Sequence, residues 1–198
     1  MNIIYLLFHG LSPYSGISKK ILYQVKGFET CGHRVSLCTY SIADNGHRVR
    51  MINDEIIDDY GTGKPAAAKR RVSYQCIYRY AVTHQVELIY VRSFHNANPF
   101  TIRLFSKLRK AGIKIAMEIP TYPYDSEYAG FPLVTRLGIQ VDKVFRKTLA
   151  KHVNAIVTFS DYHCIFGQRT IQISNGVDFD SIPLKKTVSK NTSVIHLL

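Results

Sequence analysis

Residues 1–40 read MNIIYLLFHG LSPYSGISKK ILYQVKGFET CGHRVSLCTY, and they set the architecture. Asn2–Phe8 is a near-continuous apolar run, the pattern of a strand buried on both faces of a parallel sheet. His9–Gly16 is turn-forming: Gly10 and Gly16 permit positive φ and close backbone approach, and Pro13 fixes a bend. Ile17, Ile21, Leu22, Val25 and Phe28 then share one helical face, and Gly32 suits the position just past the helix. His33–Tyr40 returns as a strand. Such a βαβ start puts a glycine loop and a helix N-terminus at the carboxyl end of strand one, where open α/β sheets bind ligands.

The alternation continues. Residues 41–63 are polar and irregular, with acidic residues at 54, 55, 58 and 59 and a short strand at Arg48–Ile52. Pro65 opens a helix predicted to run to about His84, and Glu87–Arg92 is the next strand. Asn98–Pro99 is an N-cap followed by proline at the first helical position, and Gly112 ends that helix. Ile113–Glu118 is a buried strand, Phe131–His152 a long helix, and Asn154–Phe159 a strand. The stripe Val134, Leu137, Val141, Val144, Phe145 and Thr148 is expected to face the core. A helical turn over Asp161–Phe166 and a strand over Thr170–Ile173 follow. Strands alternating with helices predict an α/β fold: a doubly wound, mostly parallel sheet with helices on both faces and right-handed crossovers. Asp180–Ser193 has linker composition and Val194–Leu198 begins a new apolar strand. That strand is either the opening of a second α/β domain or a last edge strand; the first reading gives a domain over 1–180 and a linker with an incoming strand over 181–198.

Bulk composition narrows the function classes. The chain of 198 residues is 46% hydrophobic and 20% charged, ordinary for a globular domain. No run reaches membrane-span length, and the N-terminal run lacks the basic flank of a signal peptide. Cys31, Cys38, Cys76 and Cys164 have no zinc-ligand spacing, so they are expected to be buried free thiols in a reducing cytosol. The net charge of +12 favours anionic partners: nucleic acid, lipid headgroups or a phosphorylated ligand.

Several chemistries are excluded by motif. There is no Walker A sequence, no G-x-G-x-x-G, no acidic residue at the end of strand two for a ribose, no nucleophile elbow and no H-E-x-x-H. His9, His84, His95 and His163 are candidate bases, with His95 favoured by its place in the loop after a strand. The loop Ile119–Tyr128 combines two prolines, three tyrosines and carboxylates. Its Tyr122, Tyr124 and Asp125 suit sugar hydroxyls, since rings stack on pyranose faces and carboxylates accept OH bonds. A rigid proline turn packed by its own aromatics explains the same composition.

Three segments together resemble the N-terminal domain of retaining GT-B glycosyltransferases of the family 4 type. They are Ser15-Gly16-Ile17-Ser18 leading to Gly32-His33-Arg34-Val35, the strand Asn154–Asp161, and Ser174-Asn175-Gly176-Val177-Asp178. The resemblance implies two Rossmann-like domains facing a cleft, with this chain as the acceptor half. The donor domain, with its paired glutamates, would lie beyond Leu198, so the chain is expected to be inactive alone. It implies no cofactor: a UDP- or GDP-sugar is the donor substrate, and a glycan or lipid-linked sugar is the acceptor. By position, Ser15, Gly16 and Ile17 would approach donor phosphates or acceptor, while Ser160, Asn175 and Gly176 would line the cleft and hinge. Glu118 stands where many members carry a histidine near the reacting sugar, which makes it the catalytic candidate. A cytoplasmic location follows, with peripheral contact to an anionic inner membrane face. The alternatives are a basic nucleic-acid-binding α/β module without catalysis and a small-ligand binding domain.

Overall fold

The computed structural model describes residues 1–92, 97–125, 130, 132–174 and 176–178, the side chain of Val134 excepted. Strand β1 (Asn2–Leu6), helix α1 (Gly16–Thr30) and strand β2 (Arg34–Ile42) open the chain. Strands β3 (Arg48–Ile52) and β4 (Glu55–Asp59) precede helices α2 (Gly63–Lys69) and α3 (Gln75–Thr83). Then come β5 (Leu88–Arg92), α4 (Pro99–Lys110), β6 (Lys114–Ile119), α5 (Leu133–Ala150), β7 (Ala155–Thr158), β8 (Cys164–Ile165) and β9 (Gln168–Gln172). The sheet order is β4-β3-β2-β1-β5-β6-β7-β9-β8. Strands β2, β1, β5, β6, β7 and β9 are parallel, and β3, β4 and β8 pair antiparallel at the two edges. This is the doubly wound, Rossmann-like α/β sheet that the alternation predicted.

Burial of β1 on both faces explains its unbroken apolar sequence. Ile3, Tyr5 and Leu7 pack with Ile21, Val35 and Tyr90 beneath α1. Ile4, Leu6 and Phe8 join the larger core formed with α3, α4 and α5. The start of α4 is fixed as expected: Asn98 Oδ1 accepts the N–H groups of Phe100 and Thr101 at 2.9 and 3.1 Å, and Thr101 Oγ1 accepts the Asn98 N–H at 3.0 Å. From β1 the chain winds out to β2 on one side and to β5 on the other. The direction of winding therefore reverses between β1 and β5, which opens a crevice at the carboxyl ends of those two strands.

Several expectations are corrected. Residues 41–63 form a β2-β3-β4 meander rather than one strand in an irregular stretch. Asn53 and Asp54, both at positive φ (46° and 70°), make the tight turn, and the acidic composition of β4 reflects an exposed edge. The helix predicted from Pro65 to His84 is two helices. Tyr74 interrupts it, buried edge-on against Phe8 at 5.8 Å with its hydroxyl donating to the Arg71 carbonyl at 2.7 Å. Asp161–Phe166 is no helical turn: Phe166 and Gly167, at φ 52° and 82°, close the β8-β9 hairpin. Of the stripe on α5, Leu137, Val141 and Val144 are exposed and Phe145 packs against the core, while the buried positions of the helix are Ile139, Asp142, Leu149 and Ala150. The Asp180–Leu198 tail lies outside the described residues.

The cysteines also divide. All four are free, but Cys31 and Cys164 are exposed and only Cys38 is fully buried. Burial first of all pushes the Cys38 thiol up to about 12 and the Cys76 thiol up to about 11. A disulfide-forming reagent at pH 8 is therefore expected to label Cys31 and Cys164 in the native protein and Cys38 only on unfolding. Peptide mass mapping checks this, and native labelling of Cys38 at the rate of Cys31 would contradict the packing.

Candidate functional site

The parallel register aligns polar side chains at the carboxyl edge. Tyr5 pairs with Tyr90, and Arg92 with Glu118, so all four project onto the face covered by α1. Glu118 is 0% exposed. Its Oε1 accepts Arg92 Nη1 at 2.5 Å, and its Oε2 accepts the Tyr90 hydroxyl at 2.7 Å and Gln24 Nε2 at 2.9 Å. The Tyr5 hydroxyl in turn donates to Gln24 Oε1 at 2.5 Å. Burial, and next the Glu118 charge, push both phenols well above the ordinary tyrosine value. They are neutral donors at physiological pH. Glu118 thus has both oxygens engaged by protein donors, and its chemistry in this geometry is to fix the Arg92 guanidinium at the edge of the sheet.

The loop after β1 is built differently at its two glycines. Neither uses the positive φ that glycine permits. A Cβ on Gly10 would come within 2.9 Å of the Tyr40 carbonyl oxygen, so close packing against β2 requires glycine there. A Cβ on Gly16 would meet nothing within 4 Å, so no protein contact requires glycine at the start of α1. Ser15 is the N-cap, its Oγ accepting the Ser18 N–H at 3.4 Å, and Ser18 Oγ accepts the Ser12 N–H at 2.9 Å. Ile17 and Tyr14 are exposed beside it.

The loop after β6 is a packed unit. Ser160 Oγ, past the end of β7, accepts the Tyr122 N–H at 3.0 Å. Tyr122 meets Tyr124, Tyr162 and Phe166 edge-on at 6.4, 5.0 and 5.5 Å. Tyr124 is buried and donates to Asp142 Oδ2 at 3.2 Å. Asp125 takes a bidentate fork from Arg146 at 2.7 and 3.0 Å, with Lys143 at 3.7 Å. The Arg146 fork above all holds the Asp125 carboxyl below its ordinary value. These side chains engage one another, with the rings packed nearly perpendicular. His95 and Asn175 lie outside the described residues. Gly176 has open space around it, and two residues on Asp178 meets Lys26 of α1 at 2.7 Å.

Sequence reasoning picked out Glu118 but missed Arg92, Tyr90, Tyr5 and Gln24. The available signal was an arginine closing the otherwise apolar run Leu88–Val91. No family model matches the chain, and no curated protein or solved structure is detectably similar to it. Glu118→Gln leaves Arg92 buried opposite a neutral amide, and is expected to cost about 3 kcal/mol of stability. Urea unfolding checks this, and a loss under about 1 kcal/mol would show that the pair is not the anchor of this edge.

Proposed function

We propose that this chain is the acceptor-binding half of a retaining glycosyltransferase of GT-B architecture, moving a sugar from a UDP- or GDP-sugar to a glycan or lipid-linked acceptor. The observation that carries the reading is the common edge. β1, β6 and β7 are parallel members of one sheet, so Ser15-Gly16-Ile17, Glu118 with the loop to Asp125, and Ser160 all follow carboxyl ends at the same side. Those are the positions at which two of the three family-like segments and the catalytic candidate fall. In this reading the N–H groups of Gly16 and Ile17, which have no intrahelical acceptor by position, bind substrate oxygens. Arg92, held by Glu118, adds positive charge near the departing diphosphate, whose electrostatic stabilisation supplies much of the catalysis. Glu118 acts through Arg92 and not as a solvent-facing base.

Gly16→Asp separates fold from function. The new side chain has space, and a carboxylate in the first turn favours the helix by roughly 0.3–1 kcal/mol. The same charge repels phosphate oxygens. In the enzyme carrying this domain, transfer is expected to fall by about 100-fold or more while the melting temperature holds or rises. Unchanged turnover, measured with radiolabelled nucleotide sugar, would remove the loop from the mechanism.

The exposed face of α5 supports a lipid-linked acceptor. Leu133, Leu137, Val141 and Val144 stand 44–73% exposed, with Arg136 and Lys147 exposed beside them. The helix has one acidic residue, Asp142, and it is buried. An apolar stripe flanked by cations and free of exposed acids suits the surface of an anionic bilayer. Among the described residues no helix is long and apolar enough to cross a membrane. Co-sedimentation with vesicles containing anionic lipid is expected, weakened by Leu137→Glu with Val144→Glu. Binding indifferent to anionic lipid content would exclude a lipid-linked acceptor presented in this way.

A further inference from the structure

A second polar cluster lies on the opposite face of the sheet, at the carboxyl ends of β1 and β2. Arg50 of β3 is 1% exposed. Its Nη1 donates to the Leu7 carbonyl at 2.7 Å, and its Nε is buried without a hydrogen-bond partner. Arg48 Nη1 donates to the Tyr40 hydroxyl at 2.6 Å. The Arg70 guanidinium lies 4.2 Å from the centroid of the same ring, and its Nε is also buried without a partner. Arg71 adjoins Arg70 in sequence. Among the described residues, none of these four arginines pairs with a carboxylate. Ion pairs are found elsewhere, at Lys26, His47, Arg92, Lys143 and Arg146.

Such a cluster is unfavourable by itself. Buried donors without acceptors carry their full desolvation cost, and like charges brought together add repulsion. Burial lowers the Arg70 proton affinity most; Tyr40 opposes this, and the charges of Arg71, Arg48 and Arg50 lower it further. Aromatic rings hold the cations in place, Phe8 under Arg50 and Tyr40 under Arg70, without neutralising them. The side chains are all arginine, whose planar fork matches oxyanions bidentately. The position is also apt: Gly10, pressed against the Tyr40 carbonyl, keeps the β1 loop beside the cluster at the edge where open sheets take ligands.

We propose that Arg48, Arg70 and Arg71, backed by buried Arg50, bind a phosphoryl group carrying at least two negative charges, with diphosphate the best fit to several neighbouring guanidinium groups. The assignment stands on the unpaired arginines and does not depend on the transferase reading.

Calorimetric titration of the chain with inorganic pyrophosphate at constant ionic strength tests it, with citrate as the carboxylate arm. Pyrophosphate is expected to bind, and Arg70→Gln and Arg48→Gln are each expected to weaken it by about tenfold or more. Arg70→Lys should retain part of the affinity. Without ligand, the glutamine variants should melt no lower than the parent, because a like charge has been removed. Pyrophosphate should also shield Arg48, Arg70 and Arg71 of the unmutated chain from phenylglyoxal, read by mass mapping. Equal affinity in the glutamine variants, preference for citrate, or shielding confined to other arginines would each overturn the proposal. Vesicles with anionic headgroups that bind the Arg70→Gln variant as well as the parent would place any lipid contact outside this site.

Discussion

A carboxylate sealed from water must find all its hydrogen bonds inside the protein, and the geometry around Glu118 follows from that demand. Its donors come from β5, from the same strand two residues on, and from α1, while Tyr5 of β1 closes the chain of contacts through Gln24. Three strands and the covering helix are thereby locked in one register, because a shift of one residue would turn Arg92 or Glu118 into the opposite core. The carboxyl edge of the sheet inherits its rigidity from this one buried charge.

Much of the fold was legible from periodicity and punctuation. The apolar run of β1, the Asn98–Pro99 helix start and the glycines after α1 and α4 carry local instructions that tertiary contacts reinforce. The failures share a cause. Tyr74 splits a helical pattern because its ring has a place against Phe8, a contact between residues far apart in sequence. The β4 strand was hidden by its acidic exposed edge. The stripe on α5 obeys helical spacing, yet Leu137, Val141 and Val144 face solvent while Phe145 reaches the core, since periodicity gives the existence of an apolar face but not what covers it.

The site was legible in outline only. Glu118 stands out as a charge ending an apolar strand, but its partners depend on register and on the docking of α1, neither of which a single sequence prints. Tyr122, Tyr124 and Asp125 announce themselves by composition; the structure shows that much of this composition builds the loop itself, through Ser160, Asp142 and Arg146. The arginine cluster shows in the sequence only as the basic run at Arg70 and Arg71; Arg48 and Arg50 sit in a stretch with acidic neighbours, whereas in space those neighbours leave them unpaired.

The placement of β1 between β2 and β5 has a cost during synthesis. Ile3 must wait for Leu88, made well after it, before its second edge is paired. At about 5–20 residues per second that is roughly 4–17 s in which a bare hydrophobic strand can meet another nascent chain. A domain wound outward from its first strand is therefore a natural client for ribosome-proximal chaperones, whatever its final stability.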